Sequence, residues 1–173
     1  MTSIEFRAPW GRPLRIASGL SAVVLLAVAV SGVVTLGRAP LLASLLLICM
    51  PLAILLTALP FMVRGYTLND DTIIVRRSGW ATVLPLHDLQ SVTGDADAMR
   101  GSLRLFANGG LFSFSGEFWN RKLGRYRALA TDPGRAVVLR YPKRTVVITP
   151  HDPQQFIMRA RTVLQTAGFP SHR

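Results

Sequence analysis

The chain is poor in the residues that most chemistry needs. It has a single cysteine, Cys49, which excludes an intrachain disulfide and a thiolate zinc site. The lone thiol fits a reducing compartment for the polar part of the chain. Three histidines, His87, His151 and His172, stand far apart, with no Cys or Glu at metal-ligand spacing. Acidic residues are few, nine against twenty Lys and Arg. Glu117 is the one glutamate after residue 63, so paired-glutamate acid-base chemistry has no basis there. Charge of either sign is almost missing from residues 16–63, where Arg38 stands alone.

That uncharged stretch is the strongest signal present. A core helix of a water-soluble domain needs a polar face, and this run has none. It divides into a first span, Ile16 to Leu36, and a second, Leu41 to Val63, joined by Gly37-Arg38-Ala39-Pro40. Twenty-one residues at about 1.5 Å each give roughly 30 Å, the thickness of a bilayer's hydrocarbon core. The short connection predicts a tight antiparallel hairpin. Pro51 inside the second span removes one backbone donor and predicts a kink. Ser18 and Ala22, then Ala27 and Ser31, are small residues at four-residue spacing that favour close helix approach. A cleaved signal peptide is the competing reading of the first span, but its apolar stretch is too long and no A-x-A site closes it. Arg7, Arg12 and Arg15 precede the first span, and Arg64, Arg76 and Arg77 follow the second. This bias predicts a multi-pass protein of the cell (inner) membrane with both termini cytoplasmic.

The remainder is basic and strand-rich. Four basic residues and one acidic residue precede residue 64, which leaves sixteen and eight behind it. Strand-like runs follow one another: Tyr66-Thr67-Leu68, Thr72 to Arg77, Trp80 to Leu86, Leu89 to Thr93, Ser102 to Phe106, Arg125 to Ala130, Ala136 to Tyr141 and Thr145 to Thr149. Asn69-Asp70-Asp71, Ser78-Gly79, Asn108-Gly109-Gly110 and Thr131-Asp132-Pro133-Gly134 punctuate them. A helix closes the chain. Asp152 is its N-cap, Pro153 its first residue and Gln155 the capping-box partner. Phe156, Ile157, Ala160, Val163, Leu164 and Ala167 recur on one face, and Gly168 and Pro170 stop it. The expected fold is a membrane α-hairpin followed by a mostly β domain. That domain is a curved antiparallel sheet or partly open barrel of about seven strands capped by one C-terminal helix. Its divisions are an N-terminal cytoplasmic segment (1–15), the hairpin (16–63, as 16–36 and 41–63), the domain (64–168) and a tail (169–173).

Several ordered stretches carry a resemblance. They are Tyr66-Thr67-Leu68, Leu84-Pro85-Leu86 with Leu89-Gln90-Ser91-Val92, Leu105-Phe106-Ala107-Asn108-Gly109-Gly110, Leu123-Gly124-Arg125-Tyr126, and Ile148-Thr149-Pro150-His151-Asp152-Pro153 before Phe156. Over roughly residues 66–167 the chain resembles bacterial pleckstrin-homology (PH)-like domains that follow pairs of membrane helices. The resemblance implies a fold more than a function. Phosphoinositide-binding PH domains carry basic residues around their first hairpin loop. The corresponding loop here, Asn69-Asp70-Asp71, is acidic, so recognition of that kind is not expected.

No catalytic set emerges. His87-Asp88 reads as a turn, and neighbours on an extended chain point to opposite faces, so the two are not expected to orient each other. Asn108-Gly109-Gly110 and Gly116 are too loosely spaced for a phosphate loop. The richest candidate is the run from Phe118 to Arg127, where Trp119 stands beside Arg121, Lys122, Arg125 and Arg127. Aromatics at headgroup depth and cations on phosphates suit a membrane surface. Arg76-Arg77 and Lys143-Arg144 are possible extensions of it. The leading expectation is a non-enzymatic membrane protein whose domain binds a protein partner or itself. The alternative is a sensor of anionic lipid headgroups through the basic loop. The bilayer itself is a partner. No cofactor, metal or nucleic acid is expected.

Overall fold

The computed structural model describes residues 3–109 and 111–166. Ala167, Gly168, Pro170 and the 169–173 tail therefore lie outside the described residues, as does Gly110. The chain opens on a short strand, β1 (Ile4–Arg7), before the helices α1 (Arg12–Val34) and α2 (Leu41–Ala58) and a single 3-10 turn, Leu59–Phe61. Nine strands follow: β2 (Val63–Leu68), β3 (Thr72–Arg77), β4 (Ala81–Pro85), β5 (Ser91–Gly94), β6 (Leu103–Gly109), β7 (Phe114–Asn120), β8 (Gly124–Ala130), β9 (Val137–Tyr141) and β10 (Arg144–Ile148). The helix α3 (Pro153–Thr166) ends the described chain.

Both long helices, Arg12–Val34 and Leu41–Phe61 with its 3-10 turn, are long and apolar enough to cross a membrane. They cross closely at Gly32. A Cβ there would lie 2.8 Å from Leu47 and Ile48 and 3.0 Å from the Ser44 carbonyl, so only glycine fits. α2 runs on through Pro51, which is buried. α1 begins four residues before the hydropathy reading of the span. Pro13 sits in its first turn, where a missing N–H costs nothing. At the other end, Val63 belongs to β2 rather than to the second span, and it is buried in the domain core.

Two sheets form the domain, one in the order β1-β2-β3-β4 and one in the order β5-β9-β10-β8-β7-β6. They are not closed into a barrel, and α3 packs on the main core through Phe156, Ile157 and Ala160. This is the expected arrangement, with two strands, β1 and β7, beyond the eight runs read from the sequence. β7 lay hidden in a glycine- and charge-containing run. β1 came from the segment read as lying outside the domain. Ile4-Glu5-Phe6-Arg7 pairs antiparallel with β2 from Leu68 to Gly65, and Phe6 is buried edge-on against Phe156 at 5.1 Å between ring centres. One ladder departs from the antiparallel expectation: β8 and β10 run parallel. Asp152 caps α3, its Oδ1 accepting from the Gln155 N–H at 2.9 Å.

Period-two alternation gives the six-stranded sheet two apolar faces. Leu129, Leu139, Val146 and Ile148 face the first sheet and α3. Phe118, Tyr126, Val138 and Val147 form a smaller core with Ala98.

Candidate interaction surface

The basic run is not a loop. It is the β7–β8 hairpin, with a turn at Arg121–Leu123. Asn120 builds that turn. Its Oδ1 accepts from the Lys122 and Leu123 N–H groups at 3.1 and 2.7 Å, and its Nδ2 donates to the Ala98 carbonyl at 2.7 Å and to Ser102 Oγ at 2.9 Å. Gly124 closes the turn at φ +68°, a conformation that favours glycine. Phe118 and Tyr126, directly opposite each other, stack at 5.9 Å on the inner side of the smaller core.

The five predicted residues separate on this frame. Trp119 is 40 % exposed and sits opposite Arg125. Arg125 bonds the Glu117 carboxylate, and Lys122 Nζ lies 2.5 Å from Asp95 Oδ2. Arg121 is exposed at the turn. Arg127 is half-buried and lies on the inner face with Leu129. Two of the four cations therefore already have acidic partners, which weakens the field of the patch.

The open end of this hairpin touches the helices. Ser113 Oγ donates to the Phe61 carbonyl at 2.9 Å. The Phe112 N–H donates to Ser18 Oγ of α1 at 3.0 Å. Thr131 Oγ1 donates to the Pro9 carbonyl at 2.7 Å, and the Gly11 N–H donates to the Thr131 carbonyl at 3.1 Å. Gly11 must be glycine here, since a Cβ would come within 2.6 Å of the Asp132 side chain. The turn lies six residues farther along each strand, about 20 Å at roughly 3.3 Å per residue. Parallel pairing of β8 with β10 puts the strand starts Gly124 and Arg144 at that same far end. Lys143 and Arg144 therefore lie at that far end. Arg76 does not, because it pairs with Glu5 at 2.6 Å on the other sheet.

The domain's interior is tied together by one tyrosine. Tyr66 is fully buried, and its hydroxyl donates to the Leu129 carbonyl at 2.7 Å while accepting from the Thr149 N–H at 3.1 Å. Burial pushes its pKa up to about 12. Tyr141 is likewise pushed up to about 12 by burial, and its hydroxyl has no hydrogen-bond partner. It lines a shallow recess with Asp88, Pro142, Lys143 and Arg144. His87 and Asp88 do touch, Nε2 to Oδ2 at 3.3 Å, against the sequence argument. They lie in a turn, where alternation does not apply, and both are exposed. Among the described residues no three His, Cys, Asp or Glu side chains gather as metal ligands.

Sequence reasoning read Ser102 to Phe106 as a strand but not its place at the outer edge of the larger sheet. Among the described residues β6 pairs with β7 alone, and its other edge has no strand partner. It carries exposed apolar side chains: Phe106 at 82 %, Leu103 at 62 % and Leu105 at 46 %. A bulge between Arg104 and Phe106 puts Leu105 out of register, with Leu103 opposite Trp119 and Phe106 opposite Glu117. The alternation in Leu103-Arg104-Leu105-Phe106 was visible, but a strand at the edge reads the same as one in the middle.

Two sheets not closed into a barrel and capped by a C-terminal helix, behind a pair of helices long and apolar enough to cross a membrane, fit a membrane protein with a PH-like module. A family profile described as the bacterial PH domain matches residues 64–164, more than half of the chain, and the chain belongs to that family. No curated protein and no solved structure matches it.

Proposed function

We propose that this is a multi-pass inner-membrane protein, both termini cytoplasmic, whose PH-like domain is a non-catalytic interaction module for a protein partner or a second copy of itself. The observation that carries this reading is the β6 edge, which has no second strand neighbour among the described residues and is lined by Leu103, Leu105 and Phe106. Natural proteins blunt such edges, because free N–H and C=O groups beside apolar side chains invite an added strand. Trp119 adds an aromatic anchor next to Leu103. Binding of anionic lipid through the basic hairpin stands second. Two of its cations are ion-paired, and its turn is some 20 Å along the strands from the helices.

A photo-crosslinking residue at position 106, in the full-length protein in native membranes, tests this. The expected product is one discrete protein adduct, of dimer mass if the partner is a second copy. A probe at Val83, exposed on the opposite sheet's edge strand β4, should give no such adduct. Lipid adducts alone, or the same products from both positions, would reject the reading. A reporter fused after Arg173 checks the orientation, and activity of one that works only outside the cytoplasm would reverse it.

A further inference from the structure

Two arginines stand where the fold calls for apolar side chains. On β3 the inward-facing row is Ile73, Val75 and then Arg77; on β8 it is Leu129 and then Arg127. Both therefore point toward the space between the sheets, at the rim of the main core. Neither has an ion-pair partner among the described residues. Glu117, opposite Arg127 on β7, is bonded to Arg125 instead. Arg77 is half-buried, and its Nε is shut off from solvent without a hydrogen-bond partner. Its guanidinium lies 5.4 Å from the centre of the Trp80 ring.

Such an arrangement is unfavourable as it stands. A buried donor on a charged group costs free energy when unpaired, and a second like charge nearby adds to it. Burial, and next the charge of Arg127, hold the Arg77 guanidinium below its usual pKa range. A guanidinium remains charged regardless, so what restores balance is an anion.

We propose that Arg77 and Arg127 form a binding site for a phosphate-type anion, at the mouth between the two sheets next to the base of α2. Planar guanidinium forks match phosphate oxygens two at a time, which suits a tetrahedral anion held between strands. The place narrows the source of the phosphate. The turn after Arg77 is bonded to the end of the helical hairpin, Ser78 N–H to the Met62 carbonyl at 3.0 Å and Gly79 N–H to the Pro60 carbonyl at 3.1 Å. Trp80 packs edge-on to Phe61 at 4.8 Å, and both rings are partly exposed. Arg64 Nε donates to Ser78 Oγ at 3.0 Å beside them. With the helices in a bilayer, these aromatics and cations stand at headgroup depth. The lipid source rests on the membrane placement proposed above; the anion chemistry does not. The far turn of the basic hairpin, with Arg121 and Lys122, is a separate surface.

The experiment uses full-length protein in a nonionic detergent and a buffer free of phosphate and sulfate. It is titrated with short-chain phosphatidylglycerol, with matching phosphatidylcholine and with inorganic phosphate, and Tm is followed against concentration. Phosphatidylglycerol should raise Tm saturably and phosphatidylcholine should not. Arg77→Gln and Arg127→Gln should each weaken the apparent affinity at least about tenfold, and Arg121→Gln, at the far turn, less than about twofold. A response to inorganic phosphate as well assigns the site to the bare anion; a response to phosphatidylglycerol alone assigns it to the lipid. In anion-free buffer neither Arg77→Gln nor Arg127→Gln should lower Tm, because each removes an unneutralised charge. No saturable shift with either anion, equal shifts in wild type and both variants, or a lower Tm of the variants without anion would overturn the proposal.

Discussion

The two ends of the six-stranded sheet are built from opposite materials. Next to the helices, polar groups are spent on one another. Tyr66, Leu129, Thr149, Thr131 and Pro9 are linked by hydrogen bonds, and Ser113 and Phe112 bond directly to the helical segments. At the free edge and the far turns, apolar side chains and charges face outward. On the function proposed above, a domain fixed by one end and open along the other holds a partner at a set position relative to its helices. The absence of any linker, with Met62 alone between the 3-10 turn and β2, makes that position definite.

The comparison is sharpest for aromatic side chains, since burial alone separates Phe156 from Phe106. Phe156 is fully buried between Phe6 and the sheet, so Phe156→Ala should cost about 3–5 kcal/mol in chemical denaturation. Phe106 is largely exposed, so Phe106→Ala should stay within about 0.5 kcal/mol, as should Arg159→Ala on the outer face of α3. Similar losses from Phe156→Ala and Phe106→Ala would mean that β6 is already covered in the free protein.

Tyr66→Phe falls between these. It leaves the Leu129 carbonyl and the Thr149 N–H without their partner, at a cost of about 1–3 kcal/mol. The same residue sets an alkaline limit. Its pKa is raised from 10.0 to about 12, so the folded state holds the proton that the unfolded chain gives up. Its contribution is fully present below pH 10 and is lost as pH rises toward 12, at about 1.4 kcal/mol per pH unit. Tyr141 adds a loss of the same sign in the same window. Unfolding free energies measured from pH 8 to 12 should fall steeply only above 10, and less steeply in Tyr66→Phe. A slope unchanged by that substitution would contradict the burial argument.

Much of this fold was legible because the signals were local. Hydropathy marked both helices, β-branched runs marked β3, β9 and β10, and Asp152-Pro153 marked the start of α3. What escaped depended on distant contacts. Ile4–Arg7 is too short to read as a strand until β2 offers it an edge. β7 contains Gly116 and alternates imperfectly, and it is a strand because β6 and β8 flank it. The candidate site was half legible. Composition singled out residues 118–127, but it did not show that Glu117 and Asp95 would neutralise Arg125 and Lys122, or that Arg127 would turn inward. The inward placement of Arg77 follows from alternation along β3, yet Arg76-Arg77 reads as one basic pair until the sheet assigns each side chain a face.

The claim that one end is fixed and one edge is free is tested most directly by hydrogen exchange on the purified full-length protein. Amides in β8 and β10 and at Thr131 and Thr149 should exchange only through global unfolding, while those of residues 103–106 on β6 exchange at least about tenfold faster. Protection of β6 equal to that of β8 would contradict the account.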